Sequence, residues 1–174
     1  MAIEVEQHGH LRVIKMAGQA STQSFSMAFL PTIADAIDAG LKDPATTAMV
    51  LTGDGRFFSA GADINAFQEA IDSNTAPELI RNLTGVLHPL LMRIRTSSTI
   101  VVAALNGVSA GGGLGLALAC DARVGTPDAR MAASYAGMGL SPDGGTTWLL
   151  PRLVGEQRAR RFFMGNEIWS GEEA

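Results

Sequence analysis

The stretch best equipped for chemistry runs from Ile100 to Asp121, where an apolar run meets a glycine-rich loop. Thr99 to Leu105 is short and rich in valine, as a buried strand would be. Asn106 to Gly113 follows, and its glycines let the backbone bend and approach a ligand closely. Leu114 to Cys120 is small and apolar, suited to a helix packed tightly on a sheet. A strand, a glycine loop and a helix start place several backbone N–H groups at the positive end of a helix dipole. Such a loop can hold something negative, although the same glycines would also serve a tight βα turn.

Known glycine motifs narrow the choice. The dinucleotide pattern Gly-x-Gly-x-x-Gly fails, because its last position is Leu116 when started at Gly111 and Leu118 when started at Gly113. A phosphate-binding P-loop fails because no Gly-Lys-Ser/Thr follows. The hydrolase elbow Gly-x-Ser-x-Gly does match at Gly107-Val108-Ser109-Ala110-Gly111. That fold places its histidine after the serine, yet His8, His10 and His88 all precede it.

Composition excludes several classes. At 174 residues one domain over 1–174 is the natural count, and 47% hydrophobic residues suffice for a core. A net charge of −4 with no basic stripe argues against a nucleic-acid partner. The single cysteine, Cys120, excludes a disulfide framework, suits a reducing cytoplasm and reads as a small buried hydrophobe. The start, Met1-Ala2-Ile3-Glu4, has neither a secretory h-region nor a transit helix. No apolar stretch approaches membrane-spanning length. With one cysteine and His8-x-His10 near a terminus, no metal is expected.

The elements follow in chain order. Ile3 to Gln7 and Leu11 to Met16 alternate apolar and charged residues across a His-Gly turn, predicting a hairpin. Ser26 can cap a helix to about Leu41, with Met27, Leu30, Ile33, Ala34 and Ile37 on one face and Pro31 awkwardly in its second turn. Thr47 to Thr52 predicts a strand, Gly53 to Asp63 a loop, and Asp63 the cap of a short helix over Ile64 to Ile71. A longer helix is expected over Glu78 to Arg95. Short strands follow at Ala122 to Thr126 and Arg130 to Ala133, then a loop over Gly139 to Gly144. A last helical stretch from Gly145 should break at Pro151 and resume from Glu156 to Met164, and Gly171 to Ala174 reads as a first helical turn. Strands alternating with helices imply a largely parallel sheet with crossover helices.

Two glycine loops thus end two strands: Phe58-Ser59-Ala60-Gly61-Ala62-Asp63-Ile64 and Asn106-Gly107-Val108-Ser109-Ala110-Gly111-Gly112-Gly113. With Gly139-Leu140-Ser141-Pro142-Asp143-Gly144-Gly145-Thr146 and Leu150-Pro151-Arg152-Leu153-Val154-Gly155, in that order over Ala48 to Gly171, they resemble the crotonase (enoyl-CoA hydratase/isomerase) family. The likeness weakens before Ala48. Where relatives carry Lys-x-Asn-Ala-Leu, this chain reads Ser21-Thr22-Gln23-Ser24-Phe25, so the lysine that approaches the CoA phosphates is absent. The resemblance implies an α/β crotonase-like fold of ββα repeats, with largely parallel sheets and crossover helices. It also implies that the chain lacks the C-terminal helices that cover the acyl pocket and build trimers. On that basis Phe162 and Phe163 should be exposed, and the chain should form a homo-trimer or dimer of trimers, or aggregate.

The family binds an acyl-CoA thioester and polarises its carbonyl with two backbone N–H groups. By matching motifs these would be Ala62 and Gly112, an oxyanion hole of fixed dipoles. The first loop would hold the CoA adenine, making Ala60, Asp63 and Ile64 candidate contacts and Arg56 a phosphate contact, though Asp63 is equally readable as a helix cap. Coenzyme A would enter as part of the substrate, with no separate cofactor. Hydratases of the family carry two glutamates at positions that are Gly115 and Tyr135 here, so the pair that handles water is absent. Asp143 resembles the single carboxylate of the isomerase branch, which suffices to move a double bond. A cap of the helix from Gly144 is an even alternative. The reading that results is a cytoplasmic, acyl-CoA-binding, isomerase-like enzyme. A hydratase or other crotonase reaction, a non-catalytic acyl-CoA binder, and a serine hydrolase at Ser109 stand as rivals.

Overall fold

Alternating apolar and charged residues make the chain open as a hairpin. Strands β1 (Ile3–His8) and β2 (Leu11–Met16) pair antiparallel across Gly9, at φ 61°. The structure, a computed structural model, describes residues 2–174. Strand β2 then pairs in parallel with β3 (Ala48–Thr52), β3 with β5 (Ile100–Leu105), and β5 with β7 (Ala122–Gly125). A second sheet holds β4 (Phe57–Ser59), β6 (Val108–Ala110), β8 (Arg130–Ala132) and β9 (Ile168–Ser170), antiparallel only at β8–β9. Each long strand hands the chain to a short one in the other sheet: β3 to β4, β5 to β6, β7 to β8. This is the ββα, largely parallel α/β architecture expected. The loops read as Gly53–Asp63 and Asn106–Gly113 in fact contain β4 and β6, and β9 was also unforeseen.

Helices α1 (Gln19–Thr22) and α2 (Leu30–Lys42) connect β2 to β3, and α3 (Ile64–Asp72) and α4 (Ala76–Thr96) connect β4 to β5. Helix α5 (Gly112–Ala119) follows β6, and α6 (Thr146–Val154) and α7 (Glu156–Met164) follow β8 and a 3₁₀ turn at Ala136–Met138. Helix α2 starts four residues later than Ser26, whose buried hydroxyl has no hydrogen-bond partner and caps nothing. Pro31 lies in its first turn instead, where a missing N–H is harmless. Met27 is accordingly exposed, while Leu30, Ile33, Ala34 and Ile37 face the core. Pro151 does not break α6. The interruption falls at Gly155, which takes φ 84°.

Buried side chains from both sheets and from α2, α4 and α5 form one connected cluster, including Ile14, Met49, Leu51, Phe58, Val101 and Leu114. Each such side chain contributes about 1.5–3 kcal/mol when buried. Cys120 belongs to it: burial pushes its thiol up to about 12, and its Sγ–H donates to the Leu116 carbonyl at 3.3 Å. Phe162 corrects an expectation, because it is fully buried against Trp169, ring centroids 4.3 Å apart, and Phe163 is half-buried. After β9, Ser170 and Glu173 cap each other, Ser170 N–H on the carboxylate at 2.8 Å and Glu173 N–H on the hydroxyl at 3.2 Å. Among the described residues no helix is long and apolar enough to cross a membrane.

Asn106 fastens the two sheets where the site begins. Its Oδ1 accepts from Gly53 N–H at 2.9 Å, and its Nδ2 donates to the carbonyls of Gly55 at 3.1 Å and Phe57 at 3.0 Å. Removing that amide strands several backbone groups at once, at about 1–3 kcal/mol for each that stays buried. Asn106→Ala is expected to lower stability by about 2 kcal/mol or more, read as a lower urea midpoint with an unchanged slope.

Candidate functional site

Three backbone segments meet around the N-terminus of α5. The first leaves β4 through the buried Ser59 and turns at Gly61, φ 84°. A Cβ on Gly61 would lie 2.7 Å from the Ala110 carbonyl oxygen and 3.4 Å from Gly112 N, so only glycine lets the two loops touch backbone to backbone. Phe25 N–H donates to the Gly61 carbonyl at 3.0 Å, which fixes the loop from the other side. A Cβ on Gly113 would sit 2.3 Å from the Ser59 carbonyl oxygen, locking the same pair of loops one residue further on. The N–H groups of Ala62 and Gly112 have no backbone acceptor among the described residues. Gly112 is the first residue of α5, so its N–H adds to the positive end of that helix.

The third segment is the loop before α6. Gly115, at the second turn of α5, faces it, and a Cβ there would stand 3.1 Å from the Gly144 carbonyl oxygen. Asp143 was readable either as a cap or as a free carboxylate, and the geometry removes the first option. Helix α6 has Gly145 at its N-cap and no side-chain cap hydrogen bond. What Thr146 binds is the Asp143 carbonyl, through its N–H at 3.1 Å and its hydroxyl at 2.8 Å. The carboxylate turns instead to His88 on α4, with Oδ2 to Nε2 at 3.3 Å. The same face of α4 sends Leu87 towards Gly112 and Leu91 towards Gly144.

Tyr135 lies close to Asp143. It is buried and its hydroxyl has no hydrogen-bond partner. Burial first, and the charge of Asp143 second, hold its phenol above the ordinary tyrosine range, so it stays protonated at neutral pH.

The remaining sequence candidates divide. Asp63 caps α3, accepting from Asn65 N–H at 2.9 Å, as its bland reading required. Ala60 is half-buried and Ile64 is exposed beside it, while Arg56 is exposed at the turn into β4 with its carbonyl holding Val108 N–H at 2.9 Å. Ser109 is fully buried on β6 with a partnerless hydroxyl, so no base activates it, and the hydrolase elbow fails. Among the described residues no three side chains gather as metal ligands would. A cavity of about 530 Å³ lies elsewhere, between the β7 edge, α6 and Trp169. Its walls mix apolar side chains with Asp121 and Arg123, and it includes neither Asp143 nor the glycine loops.

His88 is the residue that sequence reasoning passed over. Its partner lies 55 residues later, and a single histidine on a helix carries no signal of that.

The family profile described as enoyl-CoA hydratase/isomerase matches residues 6–174. Over 139 residues, 80% of this chain and 52% of the relative, the sequence is 37% identical to "Probable enoyl-CoA hydratase EchA14" of Mycobacterium tuberculosis. Over 152 residues, 87% of this chain and 57% of the relative, it is 34% identical to "1,2-epoxyphenylacetyl-CoA isomerase" of Escherichia coli. The chain thus spans little more than half the length of these curated relatives. The solved structure of Pseudomonas aeruginosa DspI superposes with a TM-score of 0.87 at 34% identity, over 98% of this chain and 68% of that one.

Proposed function

This chain belongs to the enoyl-CoA hydratase/isomerase family, and from that premise we propose that it moves a double bond in an enoyl-CoA thioester. In this reading the N–H groups of Ala62 and Gly112 receive the thioester oxygen. Asp143 removes a proton from C2 of a 3-enoyl-CoA. The electron pair of the broken C–H bond passes into the dienolate, whose negative charge rests on that oxygen. Asp143, now protonated, returns a proton to C4, and the 2-enoyl-CoA forms with no net gain or loss of atoms. Arg56, Ala60, Asp63 and Ile64 would lie along the CoA moiety.

The observation that carries the reading is the close approach of Gly115 to the Gly144 carbonyl, beside a carboxylate that caps nothing. A side chain at position 115 would need that carbonyl to give by a few tenths of an ångström. Asp143 is thus left as the carboxylate available in this corner. The Escherichia coli relative is named for isomerising an epoxide rather than an enoyl thioester, and the mycobacterial relative is named a hydratase. Hydration needs groups to place and deprotonate water, and Tyr135 is too firmly protonated to serve as that base.

Proton NMR of a short 3-enoyl-CoA with the protein in heavy water separates the readings. The expected result is transfer of the vinyl signals to the 2-enoyl positions. Accumulation of a 3-hydroxyacyl-CoA instead would establish the hydratase, and bound but unchanged thioester a non-catalytic binder.

A further inference from the structure

We propose that Tyr135 positions Asp143, donating its buried hydroxyl to the carboxylate when a thioester is bound and so aiming the other carboxylate oxygen at the substrate. The inference rests on Asp143 being the base. Tyr135 is 5% exposed, and its hydroxyl is buried without a hydrogen-bond partner. A buried donor left unpaired costs free energy, and one that persists calls for a reason. The backbone gives a second sign. Of the non-glycine residues at positive φ, Asn74 and Asn166 are asparagines, which tolerate that conformation, whereas Ser134, at 56°, has no such excuse. It directly precedes Tyr135, and strain of this kind gathers where a side chain must be aimed. The Tyr135 carbonyl then accepts from the N–H groups of Met138 and Leu140, each at 3.0 Å, closing a turn on the way to Asp143.

Two acceptors lie near the phenol, the Asp143 carboxylate and the Thr146 hydroxyl. Thr146 already gives its hydrogen to the Asp143 carbonyl at 2.8 Å and offers only a neutral oxygen, so the carboxylate is the stronger acceptor. His88 engages Oδ2 alone, at 3.3 Å, which leaves Oδ1 for the phenol. In the free protein the carboxylate is 38% exposed and water serves it. A thioester seated beside it displaces that water, and the carboxylate then needs a donor from the protein. Hydrogen bonds of this kind are often unmade in a free enzyme and tighten only once substrate is bound. The phenol keeps its proton throughout, because burial first and the charge of Asp143 second hold it above the ordinary tyrosine range. With Oδ1 held, Oδ2 takes the proton from C2 and returns it to C4.

Tyr135 is the one tyrosine of the sequence, so a ¹³C label at tyrosine Cζ gives a single NMR signal. That signal is expected to move when butyryl-CoA is added to saturation, and to stay in place in Asp143→Ala saturated with the same thioester. Equal movement in the two proteins, or none in the parental one, overturns the pairing. Tyr135→Phe keeps the ring and should lower kcat on a short 3-enoyl-CoA about tenfold, as loss of one hydrogen bond to a charged group would. KM and the affinity for butyryl-CoA should hold, and the urea midpoint of the free protein should stay or rise, since an unpaired buried group has been removed. Parental kcat, or equal losses of kcat and butyryl-CoA affinity, would reduce the hydroxyl to packing and overturn the proposal while leaving Asp143 as the base. Full turnover in Asp143→Asn, or none in the parental protein, removes the base and the positioning role together.

Discussion

Asp143→Asn is expected to lower turnover of a 3-enoyl-CoA by about 100-fold or more, the usual worth of a positioned acid–base group. Its stability should hardly move. The carboxylate caps no helix, so the amide need not replace a cap. The contact it gives up is a partly exposed pair with His88, worth about 0–1 kcal/mol. The backbone around it stays pinned, because Thr146 binds the Asp143 carbonyl rather than its side chain. Acyl-CoA binding should survive as well, since Ala62, Gly112 and the first loop are untouched. Calorimetric binding, a urea melt and the NMR assay together decide the matter. Parental turnover in a well-folded variant would remove the base from the proposed reaction.

The layout of the fold was legible wherever an element was long enough to repeat its pattern. Leu79 to Ile94 announces α4 through its apolar spacing, and Ile100 to Leu105 announces β5 through its composition. Strands β4, β6 and β9 were not legible: each is three residues long, and β4 and β6 lie inside glycine-rich loops, whereas the equally short β8 was legible at Arg130 to Ala133. Their pairing is set by backbone contacts from distant parts of the chain, such as Val108 N–H on the Arg56 carbonyl. Proline misled in both directions. Pro31 lies in the first turn of its helix rather than the second, and Pro151 lies within a helix that continues to Val154.

At the site, the glycine loops were visible as motifs, but the reasons for their glycines were not. Gly61 and Gly113 are required by carbonyl oxygens 2.7 and 2.3 Å from where a Cβ would stand, on residues 110 and 59. The two readings of Asp143 could not be separated on paper, because a cap and a free carboxylate share the same Asp-Gly-Gly sequence. Only the direction of the side chain, towards His88, separates them. Asp63, in contrast, does what its position ahead of a short apolar helix announced.

Gly112→Pro, compared with Gly112→Ala, isolates the other half of the proposed chemistry. Either substitution adds a Cβ about where Phe25 Cδ2 lies 2.5 Å away, so both force that buried ring to move. Only proline removes the N–H. Position 112 is the first residue of α5, where proline's fixed φ is compatible with a helix and no intrahelical hydrogen bond is lost. The Cβ clash with Phe25 is shared, while proline also sets its Cδ where the N–H pointed, so the ratio of the two variants reports loss of the donor together with blockage of its place. Loss of one oxyanion donor raises the barrier by about 3 kcal/mol, so the proline protein should turn over about 100-fold more slowly than the alanine protein. Because the donor acts on charge that develops during proton removal, the affinity for a saturated acyl-CoA should change far less than the rate. Equal losses in the two variants would assign the whole effect to Phe25 and take Gly112 out of the oxyanion hole.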